Sequence, residues 1–266
     1  MGGGTADAGA PDAGAPRVDG GFLVGIYQGN LLHIDPDAVT YRLIGPTGVQ
    51  TARPAWDWNA NVMRAVVNQY VTPQLAVIDR CTGQTTFGPR VQRIDGGFLP
   101  MNEAIVQAAD GGFYVGTDWN GSNNFLSERI GTLDLTTGVV TPLSGMLNTL
   151  QDDSDGMMLI DGELYSVDVQ QPNNRVDIER IDPATGMTQG RLHRLSPSYV
   201  RFAWDPERRL LFAYDDVTRN LSEIFPDGGA RVRGLLFPDR TLDAGLNADG
   251  GGSLDGFEWV PRPVCP

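Results

Sequence analysis

A chain of 266 residues, 41% of them hydrophobic, can bury one large all-β domain or two ordinary ones, and its 34 glycines and 18 prolines favour short elements and frequent turns. A formal net charge of −13 argues against a phosphate-tracking nucleic-acid protein, and because all 20 basic residues are arginine, lysine Schiff-base and general-base chemistry is excluded. Two histidines and two cysteines, with no Cys-x-x-Cys spacing, leave almost no raw material for a zinc centre or a histidine-based triad, and no apolar run approaches the ~20 residues of a membrane helix.

The chain starts "MGGGTADAGAPDAGAPRVD", almost entirely Gly, Ala, Asp and Pro, with "DAGAP" occurring twice. Such a stretch has little to bury, so residues 1–19 are expected to be a disordered, solvated linker ahead of a single domain over 20–266. The pattern resembles the start of mature bacterial lipoproteins, in which a lipidated cysteine precedes a small-residue, acidic linker. That resemblance implies a cell-envelope location and membrane association only through a lipidated N-terminus. The alternative is an ordinary tail on a soluble or secreted protein.

From residue 20 the chain repeats itself. "GGFLVGIY" (20–27) returns as "GGFYVGTD" (111–118). Five hairpin-like segments line up: "LLHIDPDAVTYRLIG" (31–45), "LAVIDRCTGQTTFG" (75–88), "IGTLDLTTGVVTPLSG" (130–145), "IERIDPATGMTQG" (178–190) and "LSEIFPDGGARVRGLL" (221–236). Asp35, Asp79, Asp134 and Asp182 share one turn-entry position, with Phe225 the departure. Aspartate there accepts bonds from turn amides, and Gly83, Gly138 and Gly186 supply positive φ. A strand–turn–strand segment precedes each hairpin, clearest in "ARPAWDWNANVMRAVVN" (52–68) and "VRFAWDPERRLLFAYDD" (200–216), which align Arg53 with Arg201 and Trp56 with Trp204.

Each unit therefore reads as four short strands over about 40–50 residues, the size of a propeller blade. The first unit supplies only three, and the missing innermost strand is "LDGFEWVPRP" (254–263), where Phe257 and Trp259 match Phe202 and Trp204. The expected blades are 22–45 plus 254–263, 51–90, 99–145, 152–192 and 198–237. The fold class is all-β, a five-bladed β-propeller of four-stranded antiparallel blades closed by the C-terminal strand, which leaves no open edge in the ring. The chain resembles five-bladed β-propellers, and its "ID-P-x-T-G" hairpins resemble those of quinoprotein-like bacterial repeat propellers. The resemblance speaks for the fold and is almost silent about activity.

In that fold the loops between blades lie on the top face and the hairpin turns on the bottom. Cys81 falls in a bottom turn of the second blade and Cys265 just after the closing strand of the first. A Cys81–Cys265 disulfide is the favoured reading over two inert thiols, and it implies an oxidising compartment. Both chain ends then lie at the bottom.

Arg53, Glu103, Asp155, Arg201 and Asp255 align near the top of successive innermost strands. They form either a structural ring of mixed charge or a polar pocket whose two arginines fork onto a carboxylate, a sugar acid or a protein side chain. Trp119, in the insertion "DWNGSNN", is an aromatic candidate for stacking on a sugar or partner surface, or for packing over its own loop. Trp56, Trp204 and Trp259, with Ala55 and Ala203 beside them, read as packing between blades. "DDSDG" and "NADGGG" resemble calcium loops faintly, without alternating ligands or a closing glutamate, so no cofactor is expected and calcium stays open. The leading functional expectation is a non-catalytic, monomeric binding propeller that presents its top face to an envelope protein or glycan. The alternative is a glycoside-acting enzyme using Glu103, Asp155 and Asp255, against which stand the two arginines that would hold those acids ionised.

Overall fold

In the computed structural model, the described residues are 20–49, 52–68, 72–97, 99, 102–118, 128–144, 154–170, 175–195, 199–215, 217–236, 254–262 and 265. Every regular element among them is a strand, β1 to β21 in chain order. The expected linker (1–19) lies outside the described residues.

The strands form five sheets, one per blade. Blade 1 runs outward as β21 (Leu254–Pro261), β1 (Gly21–Tyr27), β2 (Asn30–Asp35) and β3 (Thr40–Pro46). Blade 2 is β4 (Ala52–Asp57), β5 (Val62–Val67), β6 (Gln74–Ile78) and β7 (Thr85–Arg90). Blade 3 is β9 (Asn102–Gln107), β10 (Phe113–Asp118), β11 (Glu128–Leu133) and β12 (Val139–Pro142). Blade 4 is β13 (Ser154–Ile160), β14 (Glu163–Gln170), β15 (Arg175–Ile181) and β16 (Thr188–Leu195). Blade 5 is β17 (Tyr199–Asp205), β18 (Leu210–Asp215), β19 (Asn220–Ile224) and β20 (Ala230–Leu235). All pairs within these blades are antiparallel. One addition is absent from the repeat: β8 (Gln92–Arg93), in the connection to blade 3, pairs in parallel with β12 and makes that sheet five-stranded.

Closure follows the repeat. β21 pairs with β1 from Gly21↔Pro261 to Tyr27↔Leu254, so the two ends of the propeller share one blade. The inner strands neighbour one another in the cycle β21, β4, β9, β13, β17 and back to β21.

Strand alternation then builds five apolar interfaces for five blades. In β1, Phe22, Val24 and Ile26 pack against Trp56, Met63 and Ala65 of blade 2, whereas Leu23 and Tyr27 pack with Phe212, Tyr214 and Leu221 of blade 5. In β10, Phe113 and Val115 face blade 2 while Tyr114 faces blade 4. The fifth cluster, from Tyr165, Val167 and Ile178 to Leu211, Ala213 and Ile224, joins blades 4 and 5. Apolar residues on both faces of strands such as β1 and β10 are thus explained by two neighbours per blade, not by one central core.

The bottom turns are built as the aspartates predict. Asp35, Asp79 and Asp134 each accept the amides two and three residues on, at 2.7–3.1 Å, and Asp182 accepts the Ala184 amide and the Thr185 hydroxyl. Amide donors hold the Asp35, Asp134 and Asp182 carboxyls below their ordinary pKa. Where the fifth turn has Phe225, Asp227 accepts the Gly229 amide instead. The turn brings Cys81 to Cys265, and the two form a disulfide with their Cα atoms 5.7 Å apart.

Candidate functional site

The five inner strands enter the ring from the top face, and their register decides what reaches the channel. β4 is regular, pairing Ala52↔Val67 and Arg53↔Val66. The other four carry a β-bulge at their top ends. Residue 103 is the extra residue between Asn102↔Thr117 and Ala104↔Gly116, and residue 155 between Ser154↔Asp168 and Gly156↔Val167. Residue 255 is extra between Leu254↔Tyr27 and Gly256↔Ile26. In β17 the extra residue is Val200.

The five aligned charges therefore do not share one layer. Arg53 and Arg201 are level with Ala104, Gly156 and Gly256, whereas Glu103, Asp155 and Asp255 are the extra residues of the bulges, one step nearer the top. An offset of one residue per bulge is invisible to sequence alignment, and it re-aims the bulged position out of the ladder. At Gly256 crowding requires the small residue: a Cβ there would lie 2.3 Å from Pro54 Cδ and 2.7 Å from the Ala52 carbonyl.

The two arginines hold the closing strand. Arg201 Nε donates to the Leu254 carbonyl at 2.8 Å, and Arg53 Nη1 donates to the Asp255 carbonyl. They come from β17 and β4, which flank β21 in the ring, so the first two carbonyls of the closing strand are gripped from both sides. Arg53 Nε is buried with no hydrogen-bond acceptor among the described residues.

At and below this layer the inner strands line a partly open cavity of about 40 Å³, bordered by Arg53, Ala104, Gly156, Arg201 and Gly256 and then by Met157, Met158, Phe202, Phe257 and Glu258. That volume accommodates about three water molecules. Glu258 was not among the sequence candidates. Its carboxyl accepts the Trp259 amide at 3.1 Å and forms no ion pair among the described residues. Burial among the strands pushes its pKa from 4.5 up to about 8, against the opposing amide bond. A signal existed in the repeat: the position that is Ala55, Val106, Met158 and Ala203 in the other blades is a glutamate in blade 1.

Trp119 lies outside the described residues. Trp56 and Trp259 are buried between blades and Trp204 packs against the blade 4–5 cluster, as the alignment implies. Trp58, in the β4–β5 turn, joins them at the bottom: its ring stacks on Trp259 at 5.7 Å and meets Trp56 edge-on at 6.5 Å. Its amide donates to Gln107 Oε1 at 2.6 Å, tying blades 1, 2 and 3 together beneath the channel. Among the described residues, no group of three His, Cys, Asp or Glu side chains is arranged to hold a metal ion.

No family model matches the chain, and no curated protein does. Solved structures do. A structural-genomics protein of unknown function from Bacteroides thetaiotaomicron superposes with a TM-score of 0.51 at 13% identity over 83% of this chain, which spans 59% of that structure. A chain of the nidogen/laminin complex gives 0.54 at 14% identity, covering 92% of this chain and all of that one. TolB from Acinetobacter baumannii gives 0.50 at 16% identity, covering 93% and 68%. The chain is a five-bladed β-propeller. At these identities the likeness extends to the fold alone.

Proposed function

We propose that this propeller is a non-catalytic binding module of the bacterial cell envelope, presenting its top face to a protein partner, with a glycan as the alternative ligand. The observation that carries this reading is the top end of the channel. The strand ends there carry a charged residue from each of the five blades, Arg53 and Arg201 in the ladder and Glu103, Asp155 and Asp255 at bulges, at the end of the ring opposite the disulfide, which supports a polar site. Bulges placed next to a channel mouth are a common device for aiming side chains at a ligand.

Three further points support it. The disulfide fits an oxidising compartment outside the cytosol. The acidic, small-residue stretch 1–19 fits a lipoprotein-like linker ahead of a single domain, and the ID-P-x-T-G turns fit the quinoprotein-like repeat propellers. One structure of the same fold is a chain of a nidogen/laminin complex, a precedent for the fold in protein recognition. The glycosidase reading gains less: the cavity admits a few waters and not a sugar ring.

The test is capture of envelope proteins and of an arrayed glycan set on the immobilised domain. Arg53→Ala and Trp119→Ala should each lower capture at least tenfold, and Thr136→Ala, in an exposed bottom turn, should leave it unchanged. Equal capture by all three variants contradicts the proposal.

A further inference from the structure

We infer that the channel beneath the arginine layer is a binding site for a compact carboxylate, with Arg53 and Arg201 as its cationic walls and Glu258 as a hydrogen-bond donor in its floor. The inference rests on the proposed top-face reading and names the ligand chemistry of that site.

Four observations on one cavity lead to it. Its charged lining in the arginine layer is two guanidinium groups surrounded by Ala104, Gly156 and Gly256, so nothing bulky screens them. Arg53 Nε is a buried donor without an acceptor among the described residues, and such a donor costs free energy until something accepts from it. The remaining walls, Met157, Met158, Phe202 and Phe257, are apolar, which strengthens any ionic hydrogen bond formed between them. The volume, about 40 Å³, fits a carboxylate group and little more.

Glu258 decides the sign of the ligand. A carboxylate in the floor would repel an anion, but a neutral carboxylic acid donates to one. With its pKa pushed up to about 8 by burial, Glu258 carries its proton at neutral pH. The charged groups on the elements around it are Asp255 on its own strand, Arg53 and Asp57 on β4, Glu103 on β9, Asp155 on β13, and Arg201 and Asp205 on β17; β1 carries none. The causes acting on Glu258 are burial, which raises its pKa, and the Trp259 amide, which lowers it.

The site is tested by following the arginine Nε–Hε resonances of the folded protein while acetate is added, against sodium chloride at equal ionic strength. The expected result is an acetate-specific shift of the Arg53 and Arg201 signals at pH 7, with affinity falling roughly tenfold by pH 9 as Glu258 ionises. Glu258→Gln, which keeps a neutral donor, should bind at pH 9 as the unsubstituted protein does at pH 7. A Gly-Gly-Gly peptide with a free C-terminus, compared with its amide, separates the sources. Tighter binding of the free peptide acid points to a chain end of a partner, and binding of acetate alone points to a free small acid. Shifts no larger than chloride gives, in both the unsubstituted protein and Glu258→Gln, overturn the inference. In that event, capture that still depends on Trp119 would leave the top-face reading standing, whereas loss of both would remove it.

Discussion

Gly138 shows how much a turn residue can carry. Its φ of +73° is the left-handed conformation expected of the "TTG" turn, but its position has a second cause: a Cβ there would lie 2.0 Å from the Arg90 carbonyl of the preceding blade. Gly83 abuts the Gly45 carbonyl of blade 1 in the same way, and Gly186 abuts Leu143 of blade 3. Blade 1 has Val39 in its turn instead, at φ +51°, beside Gly234 of blade 5. The turn glycines are thus contact points between blades. The aspartates and the positive φ were legible in the sequence because turn chemistry is local; the contact with the neighbouring blade was not, because nothing local encodes it. Gly138→Ala should lower stability by about 2–4 kcal/mol, combining backbone strain with displacement of the Arg90 peptide. Gly190→Ala, with open space at its Cβ, should change it by about 0.5 kcal/mol or less. Thermal unfolding of the two variants side by side checks this.

At the scale of elements, the strand count, the blade order and the closing strand were all written in the repeat, since apolar alternation and turn residues recur with each blade. Register at the channel was not. A bulge adds one residue without changing composition, so Glu103, Asp155 and Asp255 aligned with Arg53 and Arg201 although the ladder separates them. Glu258 escaped for the converse reason: it occupies a core position in a strand whose neighbours there are alanine, valine and methionine. The closing strand is secured three times, by its pairing with β1, by the two arginines on its first carbonyls, and by the disulfide with Arg80 donating to the Pro261 carbonyl at 3.0 Å. The disulfide spans 184 residues, so its loss should cost about 5 kcal/mol through unfolded-state entropy. Cys81→Ser paired with Cys265→Ser should therefore unfold at markedly lower denaturant, with amides of β21 exchanging faster than those of β14. Unchanged midpoint and exchange would show that the strand is held by its pairing alone.

The whole molecule is a ring whose five interfaces are alike in kind, so its overall stability responds to charge buried at the axis. Glu258 has a folded pKa of about 8 against an ordinary 4.5. A group raised in this way contributes stability that is full below about pH 4.5 and is lost as pH rises through about 8, by up to about 1.4 kcal/mol per pH unit. The turn aspartates Asp35, Asp134 and Asp182 are shifted downward and act oppositely, losing their contribution only as pH falls below the ordinary carboxylate range. Stability should therefore be greatest in mild acid, decline between about pH 4.5 and 8 and level off above, and Glu258→Gln should flatten that decline while leaving the acid limb unchanged. Denaturant midpoints from pH 4 to 9 read this directly. A decline of equal slope in the Gln variant would assign it to other groups.

The claim that the top face is the working face is tested most directly by cross-linking mass spectrometry on the captured partner, using a carboxyl-reactive reagent suited to this lysine-free, acidic chain. Links concentrated at Asp118, Glu128, Asp155 and Asp255, which lie at the ends of their strands away from the aspartate turns, are the expected result. Links concentrated instead at the bottom-turn aspartates Asp79, Asp134 and Asp182 would contradict it.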